Sequence, residues 1–283
     1  VYYIQGVFGF RNVILPILIG SKPVVSPHGM LQEGAITKKK LVKIIYLRVL
    51  KFFLKFKNSH FIVTDSNERN EVLYFFGNVK TSVIPLPLST IDMVVTSREK
   101  IRGQLHLVYY SVISEKKNLI FLLDVMKKVN GPVKLTIFGP IQDENYWSRC
   151  NKNISNSTLL KNSVCYKGSL LFMDYYKMCQ EYDYFVLPTK GENFGYAVLE
   201  NLGCGLPVVI SDCTPWVFNE GSGLFSLPLE NFSAWVSTIQ ELINQSDTDY
   251  KLARSRARDY YENFMSKTSK IGLYEKFFES NYF

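Results

Sequence analysis

Short apolar runs alternate with longer segments of helical period along most of this chain. In the first third, Tyr2–Gln5, Pro23–Ser26, His60–Thr64 and Thr81–Ile84 read as strands bounded by turn formers. A short apolar helix is expected between the first two. A long helix over residues 38–57 precedes the third, and Asp65 or Ser66 caps a helix that ends near Gly77. Pro85-Leu86-Pro87-Leu88 then removes two backbone donors in close succession, and residues 89–103 show no strong period. A linker is therefore placed at about 85–103. Beyond it, strands are expected at Leu105–Tyr110, Val133–Phe138, Ser163–Tyr166, Tyr184–Leu187, Val208–Ser211 and Gly223–Ser226, with helices between most of them. Strands separated by helices imply an α/β fold with parallel sheets and right-handed crossovers. Ligands of such sheets bind beyond the carboxyl ends of the strands.

The densest chemistry lies at one strand-to-helix junction. Tyr184-Phe185-Val186-Leu187 is followed by Pro188-Thr189-Lys190-Gly191-Glu192-Asn193-Phe194-Gly195-Tyr196-Ala197-Val198-Leu199-Glu200. Glu192 falls in the loop, and Glu200 falls about a turn and a half into the helix. The first N–H groups of a helix have no partner within it, and the helix dipole favours an anion there. A phosphate can rest on those N–H groups, with a carboxylate on each side to accept hydroxyl protons, an arrangement that suits a sugar nucleotide.

Glu192 and Glu200 with Asn193-Phe194-Gly195 between them, and Cys204-Gly205-Leu206-Pro207-Val208-Val209 downstream, resemble the retaining glycosyltransferases of family 4, which have the GT-B fold. Ser26-Pro27-His28-Gly29-Met30-Leu31 is similar to a segment of members that build bacterial surface polysaccharides. Ser114-Glu115-Lys116-Lys117-Asn118-Leu119 is similar to the family's phosphate-binding lysine loop, and Leu135–Pro140 to its strand ending in Gly-Pro. Thr214-Pro215-Trp216 is a weaker match, and Trp216 is left unassigned. The resemblance covers nearly all of the chain. It implies two facing Rossmann-like domains, the first incomplete at its amino end: residues 1–95 on the acceptor side, residues 96–265 holding the nucleotide sugar, and a terminal helix at 266–283 that can cross back to the first domain.

The resemblance also implies residue roles. Glu192, Lys117 and His28 are the catalytic candidates: Glu192 on a donor-sugar hydroxyl, Lys117 on the diphosphate, His28 near the donor sugar or acceptor. Glu200 would accept from the ribose, and Asn193, Phe194, Gly195, Tyr196 and Gly139 complete the donor site. The family usually carries an arginine five positions before the lysine, where this chain has Val112. Either another cation substitutes there, or donor binding is weaker, or the chain is an inefficient catalyst. Ordinary alternatives stand beside these roles. Glu192 can be a loop acid near a helix end, Lys117 a surface lysine, and His28 a satisfied structural histidine. No metal or cofactor is implied, and Asp247-Thr248-Asp249 reads as a solvated turn between helices.

Composition adds a charge pattern. The chain has 283 residues, 47% hydrophobic and 20% charged, as expected of a globular protein with a full core. Its five cysteines show no paired spacing, which suggests free thiols in a reducing compartment. No run is long and apolar enough to span a bilayer. The net charge of +8 has one source: residues 38–57 carry eight basic residues and no acid. On a helix, Lys40, Lys43, Arg48, Lys51 and Lys55 gather on one side, with Ile44 and Leu47 intruding. Leu41, Ile45, Val49, Leu50, Phe52, Phe53 and Phe56 occupy most of the rest. The expectation is a helix that buries this apolar face and turns its basic side toward water and an anionic membrane surface. No nucleic-acid motif accompanies the lysines. The expected partners are a nucleoside-diphosphate sugar and a glycan or lipid-linked acceptor. The expected location is the cytoplasm, at the inner face of the cell membrane where the Lys38–Lys57 helix touches lipid. Two other readings remain open: a degenerate relative that binds a nucleotide sugar without transferring it, and a peripheral membrane protein acting through its basic helix.

Overall fold

A computed structural model describes residues 2–9, 22–31, 36, 40–56, 58–64, 66–84, 91, 99–170, 175–268 and 273–282. The predicted helix between the first two strands, the Asp65 cap and most of the predicted linker lie outside these residues. Two compact units emerge, Val1–Ser89 with Ser269–Phe283, and Thr90–Thr268.

The first unit holds strands β1 (Tyr2–Gln5), β2 (Pro23–Ser26), β3 (His60–Val63) and β4 (Lys80–Val83), all parallel in that order. Alternation along the strands sends side chains to opposite faces. Val25, Phe61 and Val63 join a core with Leu47, Leu50 and Leu54 from helix α1 (Lys40–Phe56) and with Val72 and Phe76 from α2 (Ser66–Phe76). Val24 and Ile62 point the other way and meet Phe277 of the last helix, Leu273–Tyr282. Burying a side chain the size of Phe61 contributes about 2–3 kcal/mol.

Helix α1 departs from the expected orientation. Its core-facing stripe is Leu47, Leu50 and Leu54, spaced three and four residues apart. Leu41 (74% exposed), Ile45, Val49 and Phe52 (70% exposed), assigned from the sequence to the buried side, face outward instead. Leu47, which the sequence placed among the lysines, is buried. The reason is geometric: a helix lying on one sheet face covers little more than a third of its circumference. This helix carries more apolar residues than that stripe can hold. Among the described residues, no helix is long and apolar enough to cross a membrane.

The second unit contains β5 (Leu105–Tyr110), β6 (Val133–Phe138), β7 (Val164–Tyr166), β8 (Tyr184–Leu187), β9 (Val208–Ser211) and β10 (Phe225–Leu227). All pairs are parallel, in the order β10-β9-β8-β5-β6-β7. The intervening helices are α3 (Leu119–Met126), α4 (Glu144–Ser155), α5 (Thr158–Ser163), α6 (Tyr175–Glu181), α7 (Tyr196–Gly203) and α8 (Phe232–Asn244). Then α9 (Asp247–Thr268) closes the unit, and Leu273–Tyr282 becomes α10. The chain runs outward from β5 to β7, then returns to the other side of β5 as β8. The crevice between the carboxyl ends of β5 and β8 is thus the topological switch point.

Asp247-Thr248-Asp249 is not a turn between helices: it forms the first turn of α9. Asp247 pairs with Lys251 at 2.6 Å and accepts from the Lys100 N–H, and Asp249 accepts from the Ser246 hydroxyl. Acids in a first helical turn are stabilised by the dipole, which explains their place. Among the described residues no cluster of three or more His, Cys, Asp or Glu could hold a metal ion.

Candidate active site

Three loops leave the carboxyl ends of the neighbouring strands β8, β5 and β6. The β5 loop ends in a short 3-10 turn, Glu115–Lys117, closed by Asn118 in the left-handed conformation. The β8 loop carries Glu192 and leads into α7. Two bonds to one carbonyl join them: Lys190 N–H and the Thr189 hydroxyl both donate to Lys116 O, at 2.8 and 3.3 Å. The Glu192 N–H donates to Cys213 O beyond β9 at 3.0 Å, and Ser211 Oγ donates to Thr189 O at 2.5 Å. The loop is therefore fixed from both sides. With its backbone so held, Glu192 meets Lys117 in an ion pair, the two side chains 11% and 17% exposed.

The β6 loop contributes Gly139. Its φ is +133°, and a Cβ there would stand 1.9 Å from Ser111 O of the β5 loop. Only glycine permits that approach. Its carbonyl accepts from the Tyr166 hydroxyl at 2.9 Å. Gly139→Ala is expected to lower stability by about 3 kcal/mol or more through backbone strain and collision. Denaturant unfolding of the purified variant measures it; a midpoint equal to the parent's would contradict the geometry.

Helix α7 starts on Gly195, which is left-handed at φ 79° and supplies no side-chain cap to the first N–H groups. The indole of Trp216, left unassigned from the sequence, donates to Phe194 O and lies 3.1 Å from where a Gly195 Cβ would project. Phe194 packs between Trp216 and Tyr196, with ring centroids at 5.1 and 4.6 Å. Asn193 is half-buried in the same loop, and Tyr196 is partly exposed at the first helical position. Glu200 lies on the side of α7 near Tyr110 and Tyr175, whose rings stand 5.5 Å apart. Burial pushes the Glu200 carboxyl above its usual range. Burial first, and then the Glu200 charge, raises the Tyr110 phenol. The Tyr175 hydroxyl is buried and has no hydrogen-bond partner among the described residues.

Further cations belong to the same two loops and to α4. Lys190 and Arg149 both engage Glu115, Lys190 at 3.0 Å, and the Lys190 hydrogen bond is the main cause that lowers the Glu115 carboxyl below its ordinary value. The side chain of Lys116 comes within 3.7 Å of the position a Gly191 Cβ would take. Val112 itself is partly buried. Behind the site, buried Arg254 donates to Cys179 O, Cys204 O and the Tyr250 hydroxyl, tying α6 and the end of α7 to α9. Nothing in the sequence singles out Tyr110, Tyr175 or Arg254, since each looks like an ordinary strand-end or helix residue.

His28 belongs to the first unit. It is left-handed at φ 50°, and Gly29 follows at φ 71°. Buried Glu68 holds this turn: one carboxylate oxygen accepts from Gly29 N–H at 2.6 Å, the other from Thr64 N–H and Oγ1 at 2.7 and 2.9 Å. Burial lowers the His28 pKa, and the Glu68 charge opposes it. Thus Glu192, Lys117, Glu200, Asn193, Phe194, Gly195, Tyr196 and Gly139 share the second unit, while His28 is organised separately within the first.

A family model described as Glycosyl transferases group 1 matches residues 104–245, half of the chain and the span that builds this crevice. The chain belongs to the group 1 glycosyl transferases. No curated protein sequence matches this glycosyl transferase. Its fold is GT-B, as solved structures show. Anabaena HepE, crystallised with UDP and glucose, superposes with a TM-score of 0.76 at 17% identity, over 97% of this chain and 77% of HepE. Sucrose-phosphate synthase from Thermosynechococcus elongatus gives 0.72 at 18% identity, over 99% and 74%. S. aureus TarM gives 0.66 at 19% identity over 98% of this chain, which spans only 53% of TarM.

Proposed function

We propose that this glycosyl transferase moves a sugar from a nucleoside-diphosphate sugar to an acceptor hydroxyl with retention of anomeric configuration, as a family 4 enzyme. One observation carries the reading: Lys117 and Glu192 meet at the switch point beside the start of a helix that opens without a side-chain cap. Donor entry separates them. The diphosphate takes Lys117 and the N–H groups near Gly195 and Tyr196, while Glu192 accepts from a sugar hydroxyl and Glu200 from the ribose. Asn193 and Phe194 bound the sugar, and Gly139 lets the β6 loop close behind the diphosphate. The bond from the anomeric carbon to the diphosphate breaks, and the acceptor oxygen bonds to that carbon. The acceptor's proton passes to the departing phosphate. Lys117 and the helix end stabilise the charge that develops on the leaving group. His28 serves the sugar or acceptor from the first unit.

HepE was solved with UDP and glucose, and TarM with UDP and a glycosylated glycerol. A nucleotide-sugar donor for this chain agrees with them. The wider role we infer is cell-surface polysaccharide synthesis at the cytoplasmic face of the membrane, on a glycan or lipid-linked acceptor, with the basic helix on lipid. A thermal-shift panel of nucleoside-diphosphate sugars tests the donor site, since a ligand binding the folded state raises the melting temperature by mass action. At least one donor should raise it by several degrees at millimolar concentration; a flat panel refutes the reading. Val112 favours a second reading, a binder with poor turnover, because Lys190 and Arg149 are already engaged by Glu115. Donor hydrolysis separates the two: binding without released sugar supports the second.

A further inference from the structure

Helix α1 is apolar on two opposite sides. Leu47, Leu50 and Leu54 face the core. Rotating by about 100° per residue puts Leu41, Ile45, Val49 and Phe52 together on the far side, all at least half exposed, with Val42 at their edge. Single exposed apolar residues are ordinary, whereas a continuous stripe of four marks a contact surface. The helix contains no acid; its exposed Arg48 borders the stripe, and exposed Lys40 stands at its amino end. Alongside, an open groove of about 490 Å³ between α1 and α2 is lined by Leu31, Ile36, Ile44, Tyr74 and Phe75, with Lys40, Asn70 and Glu71 in its wall. Tyr74 is 81% exposed there.

We propose that the outer stripe of α1 inserts into the interfacial layer of an anionic bilayer, with Lys40 and Arg48 on the lipid headgroups. This deepens the membrane reading above and changes its physical basis, from a lysine face resting on the surface to an apolar face entering it. Charge decides the occupant. A second copy of the chain would bring like-charged stripes together, whereas anionic lipid neutralises the flanking cations and accepts the apolar side chains. An electrostatic contact alone would vanish in high salt, because screening shortens to about 3 Å at 1 M. An inserted stripe retains part of its binding.

The test is co-sedimentation of the protein with vesicles of phosphatidylglycerol and phosphatidylcholine, and of phosphatidylcholine alone, at low and high salt. The parent should bind anionic vesicles and keep a measurable fraction at 0.5 M salt. Ile45→Ser with Phe52→Ser should lower the partition coefficient more than tenfold at both salts, with an unchanged melting temperature. Lys40→Glu with Arg48→Glu should weaken binding mainly at low salt. Three results overturn the proposal: equal binding by the serine variant; no vesicle binding together with an oligomer, seen by light scattering, that the serine variant dissolves; or a melting temperature several degrees lower, meaning that the chain itself covers the stripe. The sugar-donor thermal shift is measured on the same variants. Its loss or survival reports on the donor site alone, so the two readings fail separately.

Discussion

Lys117→Ala is expected to lower turnover with a sugar donor by about 10²–10³-fold, the usual effect of losing one group that stabilises transition-state charge. The loss should appear in kcat more than in KM, because the leaving diphosphate gains charge as the glycosidic bond breaks. With Val112 in place of a second cation, no neighbouring arginine can compensate from that position. The substitution also strands Glu192, whose side chain is only 11% exposed, without its ion-pair partner. A stability loss of about 1–3 kcal/mol follows, below the range for fully buried pairs because both groups retain some water. Adding Glu192→Gln should restore most of the stability and none of the activity. Steady-state kinetics and denaturant unfolding on the single and double variants measure both. Full activity in Lys117→Ala would remove the lysine from the mechanism; a double variant no more stable than the single would show that the ion pair does not matter to the resting fold.

Glu200→Gln should do two opposite things. Donor affinity should fall about 10- to 100-fold, as expected when a hydrogen bond to a charged group becomes a neutral one. Stability without ligand should rise at neutral pH. The sign follows from burial, which raises the folded-state pKa of Glu200. At pH above the unfolded value, the unfolded chain ionises this carboxyl freely while the folded chain holds it in a poorer solvent. Folding therefore carries a cost that grows as pH rises through the interval between the unfolded and folded values, and it is full above the folded value. Glutamine has no charge to desolvate, so the variant melts higher at pH 7. The difference disappears at pH low enough to protonate Glu200 in both states. Calorimetric donor titration and melting curves across acid and neutral pH check it. A variant less stable than the parent at pH 7 would mean that Glu200 is held by compensating contacts; unchanged donor affinity would take it out of the ribose site.

The contrast between the two acids shows how far sequence reasoning reaches. Both stand out in the chain because they flank a strand-to-helix junction, and their roles there are what the family resemblance implies. The face of Glu200 could not be read there, since Leu199 and Asn201 beside it fit either side of a helix. Tyr110, ninety residues earlier in the chain, decides its surroundings. Helix α1 is the converse case: its composition is plain in the sequence, yet its orientation is not. An excess of apolar residues leaves several stripes equally suited to burial, and only packing against Val25, Phe61 and Val63 selects Leu47, Leu50 and Leu54.

The limits of most strands, their alternation with helices, the acidic junction at 192–200 and the lysine loop are all legible in the chain. These are local properties, written in periods of two and 3.6 residues and in turn formers. Tertiary structure alone decided the strand order that puts β5 beside β8, the meeting of Lys117 with Glu192 across seventy-five residues, the tyrosines near Glu200 and the outward apolar stripe. Strand order and helix rotation are settled by the sum of many weak contacts between distant segments, and no short window of sequence contains that sum.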